Sequence, residues 1–400
     1  MHLLYLQQLL VLPGEGGNDR CWRFARQWTE AGHRVTFIAS DAHLSQGHPW
    51  RPLPPVGEPV EQQGIEVYFV PVAYAHRMPF WRRAWAFAVF LQKAGRLGRR
   101  LGGFDAVLAY SAPLSVGELG RRLARHHGVP FFFEVADVWP DVPIGMGLLP
   151  AWGPGAWLQR RTHRMYAAAR RIFPFSPGMA TQIQAHGVPP AKLLTIPNGC
   201  DLAHIPYQPR RSSPTPPLTL LYTGTVGRAN DLGQLMQALA LIEGWGRDDL
   251  RTRIVGQGND LARVQALAQE LKLRHVSFEP PVSREQATQL LAQGDIGVVC
   301  FAAHPVLEAN AATKFFDYLA AGLPLVINYQ GWQADYLARY DCGLSSPQGD
   351  VAALARNLLR LADDPALRAR FSRQGRQLAV REFDRERLAE QMLEAMVRGQ

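Results

Sequence analysis

Short apolar runs recur along the chain, each closed by a polar or small residue, with helix-length stretches between them. The first segment, "HLLYLQQLLVLPGEGGNDRCWRFARQWTEAGHRVTFIAS", reads as strand, glycine loop, helix, strand. The runs "IEVYFVPV", "FDAVLAYSA" and "VPFFFEVAD" follow, and "RRIFPFSP" and "LLTIPNGC" continue the series. They are short, β-branched or aromatic, and alternate with helical patterns, as the βαβ units of a parallel sheet do.

The alternation stops at "PYQPRRSSPTPP", residues 206–217, the most Pro-rich and least periodic segment, which reads as a linker. It restarts with "LTLLYTGTVG", "RTRIVGQGN", "HVSFEPPV", "IGVVCF" and "PLVINY", each followed by a helical stretch, and the tail from about 349 is helical. The pattern predicts an α/β fold of two Rossmann-like, doubly wound domains with a cleft between them. Residues 1–205 form the first domain and 218–380 the second. A C-terminal helix over 381–400 is expected to pack back towards the first. In such sheets ligands sit at the carboxyl ends of strands.

Charge narrows the partners. The net charge is +9, which favours anionic ligands: nucleic acid, anionic lipid or phosphorylated substrates. Only four of the 43 Lys and Arg residues are lysines: Lys93, Lys192, Lys272 and Lys314. Lys314 stands at the front of the apolar helix in "ANAATKFFDYLAAGLP", on the unfavourable side of the helix dipole. Lysine is a compact point charge where arginine is a planar fork. An anion at that helix start would offset the cost; a solvated lysine is the plain alternative. Lys272 reads as a residue of an ordinary surface helix.

Other chemistry is sparse. The four cysteines are far apart, giving no metal or redox spacing and suggesting reduced thiols in the cytosol. No signal-peptide pattern opens the sequence, and no apolar run is long enough to span a bilayer. There is no Asp-x-Asp, no P-loop and no G-x-S-x-G elbow, so no metal and no cofactor is expected. "PGEGGND" lacks the third glycine of a dinucleotide fingerprint. It is either a tight turn or a loop whose Gly16 and Gly17 let backbone N–H groups approach a ligand. "YTGTVGRANDL" repeats the arrangement with Gly224, Gly227 and Arg228: a turn with an exposed arginine, or a phosphate loop. "FFFEVADVWPD" puts Glu134, Asp137 and Asp141 at and beyond a strand end; Asp137, a polar break among apolar neighbours, reads as a residue projecting into a cleft or as a helix or turn cap. The helix in "MPFWRRAWAFAVFLQKAGRLGRR" either lies on a membrane surface or packs its aromatics on its own sheet.

Seven segments in order resemble glycosyltransferase family 4: "GGNDR" with "EAGHRVTFIAS", "EVADVWPD", "FSPGMATQI", "IPNGCDL", "YTGTVGRANDL", "IVGQGND" and "TKFFDYLAAGLPLV". The chain is similar to the bacterial O-antigen and capsule transferases of that family, N-acetylfucosaminyl enzymes among them. The resemblance implies the GT-B fold and a retaining transfer from a nucleotide-diphosphate sugar, UDP foremost, to a lipid-linked or glycan acceptor at the cytoplasmic face of the inner membrane. It implies that Gly224, Gly227, Arg228 and Gly256 meet the diphosphate, with base and ribose near "SFEPPV" and the helix carrying Thr313, Lys314 and Asp317. Asp137 would stand near the reacting sugar. The family carries two glutamates eight positions apart; here Asp317 fills the second position, Ala309 the first, and Glu308 lies beside it. A nucleotide-sugar 2-epimerase on the same fold, or a non-catalytic relative, remains open at this point. Nucleic acid is not an implied partner.

Overall fold

The computed structural model describes residues 1–12, 18–43, 50, 53–75, 78–209 and 217–399. Gly16, Gly17 and most of the expected linker, 210–216, lie outside the described residues. Contacts divide the chain into two compact units, Met1–Pro197 with Glu386–Gln400, and Asn198–Arg385.

The first unit holds a seven-stranded sheet: β1 (His2–Leu6), β2 (Arg34–Ser40), β3 (Val60–Gln62), β4 (Ile65–Val70), β5 (Ala106–Tyr110), β6 (Phe131–Val135) and β7 (Arg171–Pro174). Their order is β3-β4-β2-β1-β5-β6-β7. All pairs are parallel except β3 with β4. Tyr5 of β1 lies opposite Phe37 of β2, and their rings stack at 4.7 Å. The helix Arg20–Glu30 lays Cys21, Trp22, Phe24, Ala25 and Trp28 against that face, because helical spacing puts these positions on one side. The helix Arg385–Val397 adds Leu388, Ala389, Met392 and Met396 to the same core, and the Trp28 Nε1–H donates to the Ala389 carbonyl at 2.9 Å. Each such buried side chain contributes about 1.5–3 kcal/mol of transfer free energy.

The expected strand in "LLTIPNGC" does not form a regular ladder: the Leu194 and Ile196 N–H groups donate to the Ile172 and Pro174 carbonyls of β7 at 3.1 and 3.0 Å, but only isolated bridges result, Ile172 with Leu193 and Cys200 with Asp384. Pro197 has no N–H to give a ladder. The Ile196 and Pro197 carbonyls instead accept from the buried Arg20 guanidinium, each at 3.3 Å.

The second unit has six strands, all parallel: β8 (Leu218–Thr223), β9 (Leu250–Val255), β10 (Val276–Glu279), β11 (Ile296–Val299), β12 (Leu325–Ile327) and β13 (Gly343–Ser345). The order β10-β9-β8-β11-β12-β13 reverses direction between β8 and β11. The loops leaving those two neighbours diverge to opposite faces, and ligands of doubly wound sheets bind there.

Candidate functional site

The chain leaves β8 at Gly224, with φ +115°, and leaves β9 at Gly256, with φ +151°. The two turns lie on each other. The Gly224 N–H donates to the Val255 carbonyl at 2.9 Å and the Val226 N–H to that of Gln257 at 3.0 Å. A Cβ on Gly256 would fall 1.9 Å from the Gly224 carbonyl oxygen, and one on Gly258 2.0 Å from that of Val226. Only glycine permits this backbone-on-backbone approach. Gly256 thus supports the first loop, while Gly224 and Arg228 are exposed and Gly227 is half-buried. Arg228 makes no ion pair among the described residues.

Lys314 arrives from the other side of the switch point. The helix Thr313–Ala321 follows β11 and buries Phe315, Phe316, Tyr318 and Leu319. Its second residue lays the Lys314 ammonium over the Tyr222 ring, 3.5 Å from the centroid. That places Nζ beside Gly224, where an added Cβ would lie 3.5 Å away. One turn later, the Tyr318 hydroxyl accepts the Thr223 N–H at 2.8 Å and faces the Leu221 carbonyl at 3.3 Å, so it ties the helix to the end of β8. Gly297 makes room for that ring, since a Cβ there would come within 2.5 Å of it. Asn198 fixes the approach to the helix by donating to the Ala311 carbonyl at 2.9 Å.

The electrostatics follow. Burial lowers the Lys314 pKa to about 7, and no carboxylate pairs with it among the described residues. Desolvation penalises the charged form, and the Tyr222 face returns only part of that cost. No side chain caps the helix start, so its first N–H groups are open. An open loop, an uncapped helix start and a cation only half charged near neutrality form a receptor for an anion.

The remaining predicted residues separate. Asp317 binds Arg284 at 3.3 Å, Arg284 following the "SFEPPV" segment. Glu308 sits in the 3-10 turn Pro305–Ala309, half-buried, its side chain without hydrogen bond or ion pair among the described residues. Its carbonyl oxygen would lie 2.7 Å from a Cβ on Gly331, so that turn is packed tightly against the chain leaving β12.

Asp137 belongs to the first unit, two residues beyond β6. It is half-buried, burial raises its pKa to about 6, and its carboxylate has no hydrogen-bond partner among the described residues. The nearby Tyr110 phenol is pushed up by burial, with the Asp137 charge contributing. Glu134, at the end of β6, is a core residue: it pairs with the buried Arg20 and accepts from the Tyr5 hydroxyl. Asp141 hydrogen-bonds His186, whose other ring nitrogen meets His163 at 3.1 Å.

Residues 15–199 match the family model "Glycosyl transferase 4-like domain", and residues 207–378 match "Glycosyl transferases group 1". Both halves of the chain are glycosyltransferase-family domains. Over 259 residues the chain is 28% identical to a glycogen synthase of Mycobacterium tuberculosis, covering 63% of this chain and 61% of that protein. It is 24% identical over 225 residues to the putative colanic acid biosynthesis glycosyl transferase WcaI of Escherichia coli K12, covering 53% and 54%. The chain thus spans only 54–61% of the length of these curated relatives. Anabaena Alr3699/HepE, solved in complex with UDP and glucose, shares the fold with a TM-score of 0.69 at 16% identity, over 100% of both chains. The fold is GT-B, as the resemblance implied.

Three residues of this candidate site escaped the sequence reading: Tyr222, Tyr318 and Asn198. The Lys314–Tyr318 spacing of one helical turn was a usable signal, as was Tyr222 immediately ahead of the loop. Among the described residues, no group of three or more His, Cys, Asp or Glu side chains is placed to hold a metal ion.

Proposed function

We propose that the protein is a retaining glycosyltransferase that moves a hexose-type sugar from a UDP-sugar to a lipid-linked or glycan acceptor in cell-surface polysaccharide synthesis. The observation that carries this is the Lys314 ammonium at Gly224 on an uncapped helix start, a receptor for the donor diphosphate. The UDP complex of HepE and the name of WcaI support the donor and the pathway class. In the reaction, the acceptor hydroxyl oxygen bonds to the anomeric carbon on the face from which the diphosphate departs. The bond from that carbon to the phosphate oxygen breaks, and the hydroxyl proton passes to the leaving phosphate. Lys314 and Arg228 offset the charge that grows on the diphosphate, and Asp137 faces the cationic sugar. No protein nucleophile enters. Thr313 and Gly227 line the diphosphate, and Asp317 and Glu308 serve the ribose and sugar.

Protein cations then take the part of a metal ion. Transfer from a UDP-sugar is expected to survive EDTA at the rate seen without it. Strict dependence on added magnesium or manganese overturns this arrangement. Product analysis without acceptor separates transfer from epimerisation: an epimerised donor sugar as sole product would replace the transferase reading.

The same proposal places the protein on the cytoplasmic face of the inner membrane. Among the described residues no helix is long and apolar enough to cross a membrane. The helix Phe80–Arg100 buries Ala86, Phe90, Ala94 and Leu97 and leaves Trp81 and Trp85 outward, 66% and 71% exposed. Trp152 and Trp157 are exposed at the start of the helix Pro154–Ala168, and Arg161 stacks on Trp157 at 4.1 Å. Both helices flank the helix Ser115–His127 and begin at the carboxyl edge of the first sheet. Tryptophans with arginines suit an anionic interface. In flotation, the protein is expected to rise with anionic liposomes at low salt and to be released as salt is raised. Trp81→Ser with Trp85→Ser should weaken retention, and no flotation of the parent at low salt removes the membrane contact.

A further inference from the structure

A cavity of about 880 Å³ opens in the first unit at the amino edge of β6 and β7, the edge opposite the one that carries Asp137. Its walls are the last turns of the helices Ser115–His127 and Pro154–Ala168, the first residues of the two strands, the turn Pro190–Lys192, and the C-terminal Arg398 and Gly399. Six cations line it: Arg121, Arg125, Arg170, Arg171, Lys192 and Arg398. No carboxylate does, among the described residues.

Four of the six have structural work. Arg121 pairs with Glu118 at 2.9 Å and Arg398 with Glu394 at 3.1 Å, each on its own helix. Lys192 Nζ donates to the Ala167 carbonyl at 2.8 Å, and Arg170 Nε to that of Gly399 at 2.9 Å. These bonds satisfy helix-end and chain-end carbonyls and hold the wall in place. Arg125 and Arg171 have no hydrogen bond or ion pair among the described residues. Two unpartnered guanidinium forks therefore face a cavity already ringed by like charge.

We propose that this cavity is a second anion site, separate from the Lys314 site, which binds a phosphoryl group between Arg125 and Arg171. The guanidinium fork matches phosphate oxygens in pairs, which a single ammonium cannot do. The volume suits a phosphoryl group together with part of its carrier, since small-molecule pockets span about 300–1,000 Å³. The phosphoryl group comes either from a soluble phosphate compound or from a lipid headgroup. The proposal does not depend on the donor-site reading.

The test uses inorganic pyrophosphate, followed by calorimetry, on the full chain and two variants. Pyrophosphate is expected to bind the parent and, because this site is independent of Lys314, to keep binding Lys314→Ala. In Arg125→Ala/Arg171→Ala, pyrophosphate binding in the Lys314→Ala background should weaken by about tenfold or more, the factor that a lost charge-assisted hydrogen bond is worth. Sedimentation with phosphatidylglycerol and with phosphatidylcholine vesicles distinguishes the sources. Weaker retention of the arginine pair variant on the anionic vesicles assigns the group to a headgroup; unchanged retention with lost pyrophosphate binding assigns it to a soluble ligand. Arg125→Gln alone, at an exposed position, repeats the measurement should the pair fail to fold. If pyrophosphate and both vesicles bind the variants as they bind the parent, or if Lys314→Ala alone abolishes pyrophosphate binding, the second site does not exist.

Discussion

Lys314→Ala is expected to lower donor affinity and turnover together, with kcat/KM falling about 100-fold, the scale on which a single transition-state donor acts. The ammonium sits 3.5 Å from the Tyr222 centroid and beside Gly224, so its loss removes a half-buried cation from the loop. The effect has a pH signature. In the empty site the Lys314 pKa is about 7, so near pH 8 the amine is mostly neutral. A bound diphosphate favours the ammonium and raises that pKa. Donor binding above pH 7 must then take up a proton, and affinity falls as pH rises from 7 towards 9. Calorimetry in two buffers of different ionisation enthalpy reads the uptake directly; Lys314→Ala should show none. The control requires care. Lys272 is not on an ordinary surface helix: it lies just past the helix Leu261–Glu270 with φ +56°, where a side-chain change acts through backbone strain. Arg373, exposed in the helix Pro365–Glu382, is the better control, and Arg373→Ala should leave both constants unchanged. Parent-like kinetics in Lys314→Ala would reduce the residue to a solvated helix-start lysine.

Lys314 was legible because the sequence uses lysine so sparingly and because a cation at a helix start opposes the dipole. The βαβ order was legible for a related reason: buried parallel strands read as continuous apolar runs, and β4, β5, β6, β8 and β11 all carry one. β3 and β13 are three residues each, too short to register, and "GLS" in β13 has no strand signature. The segment "LLTIPNGC" had the right apolar content, and two of its N–H groups do pair with β7, but its Ile196 and Pro197 carbonyls answer to Arg20, a partner 176 and 177 positions away.

Distance along the chain also hides what Glu134 does. Its partner Arg20 lies 114 positions away, and only folding shows that the two neutralise each other in the core. Gly256, expected among the donor-binding residues, also has a structural reason to be glycine, since a side chain there would strike the Gly224 carbonyl. Single positions set by local geometry are visible in sequence; positions set by a partner from another element are not. Asn198 belongs to the second kind, since its partner, the Ala311 carbonyl at the approach to the Lys314 helix, lies 113 positions away.

Asp137→Asn is expected to reduce transfer about 100-fold while leaving donor affinity near that of the parent, because a carboxylate facing a developing cation acts on the transition state. The same substitution should make the protein more stable at pH 7. Burial raises the Asp137 pKa to about 6, above the value near 4 expected in the unfolded chain. The folded state therefore holds the proton more tightly. Its advantage is full below about pH 4 and is lost as pH rises through 6, so at pH 7 the parent carries a half-buried charge without a partner among the described residues. An amide of nearly the same shape removes that cost. The unfolding midpoint of the parent should drop between pH 4 and 6 relative to the variant, and the variant should unfold later at pH 7. The parent's kcat should fall below pH 6 as the carboxylate takes up its proton. A residue retained at a cost in stability is a mark of function rather than of packing. Turnover at the parent rate in Asp137→Asn, or an unfolding midpoint at pH 7 below that of the parent, would make Asp137 an ordinary turn residue after β6.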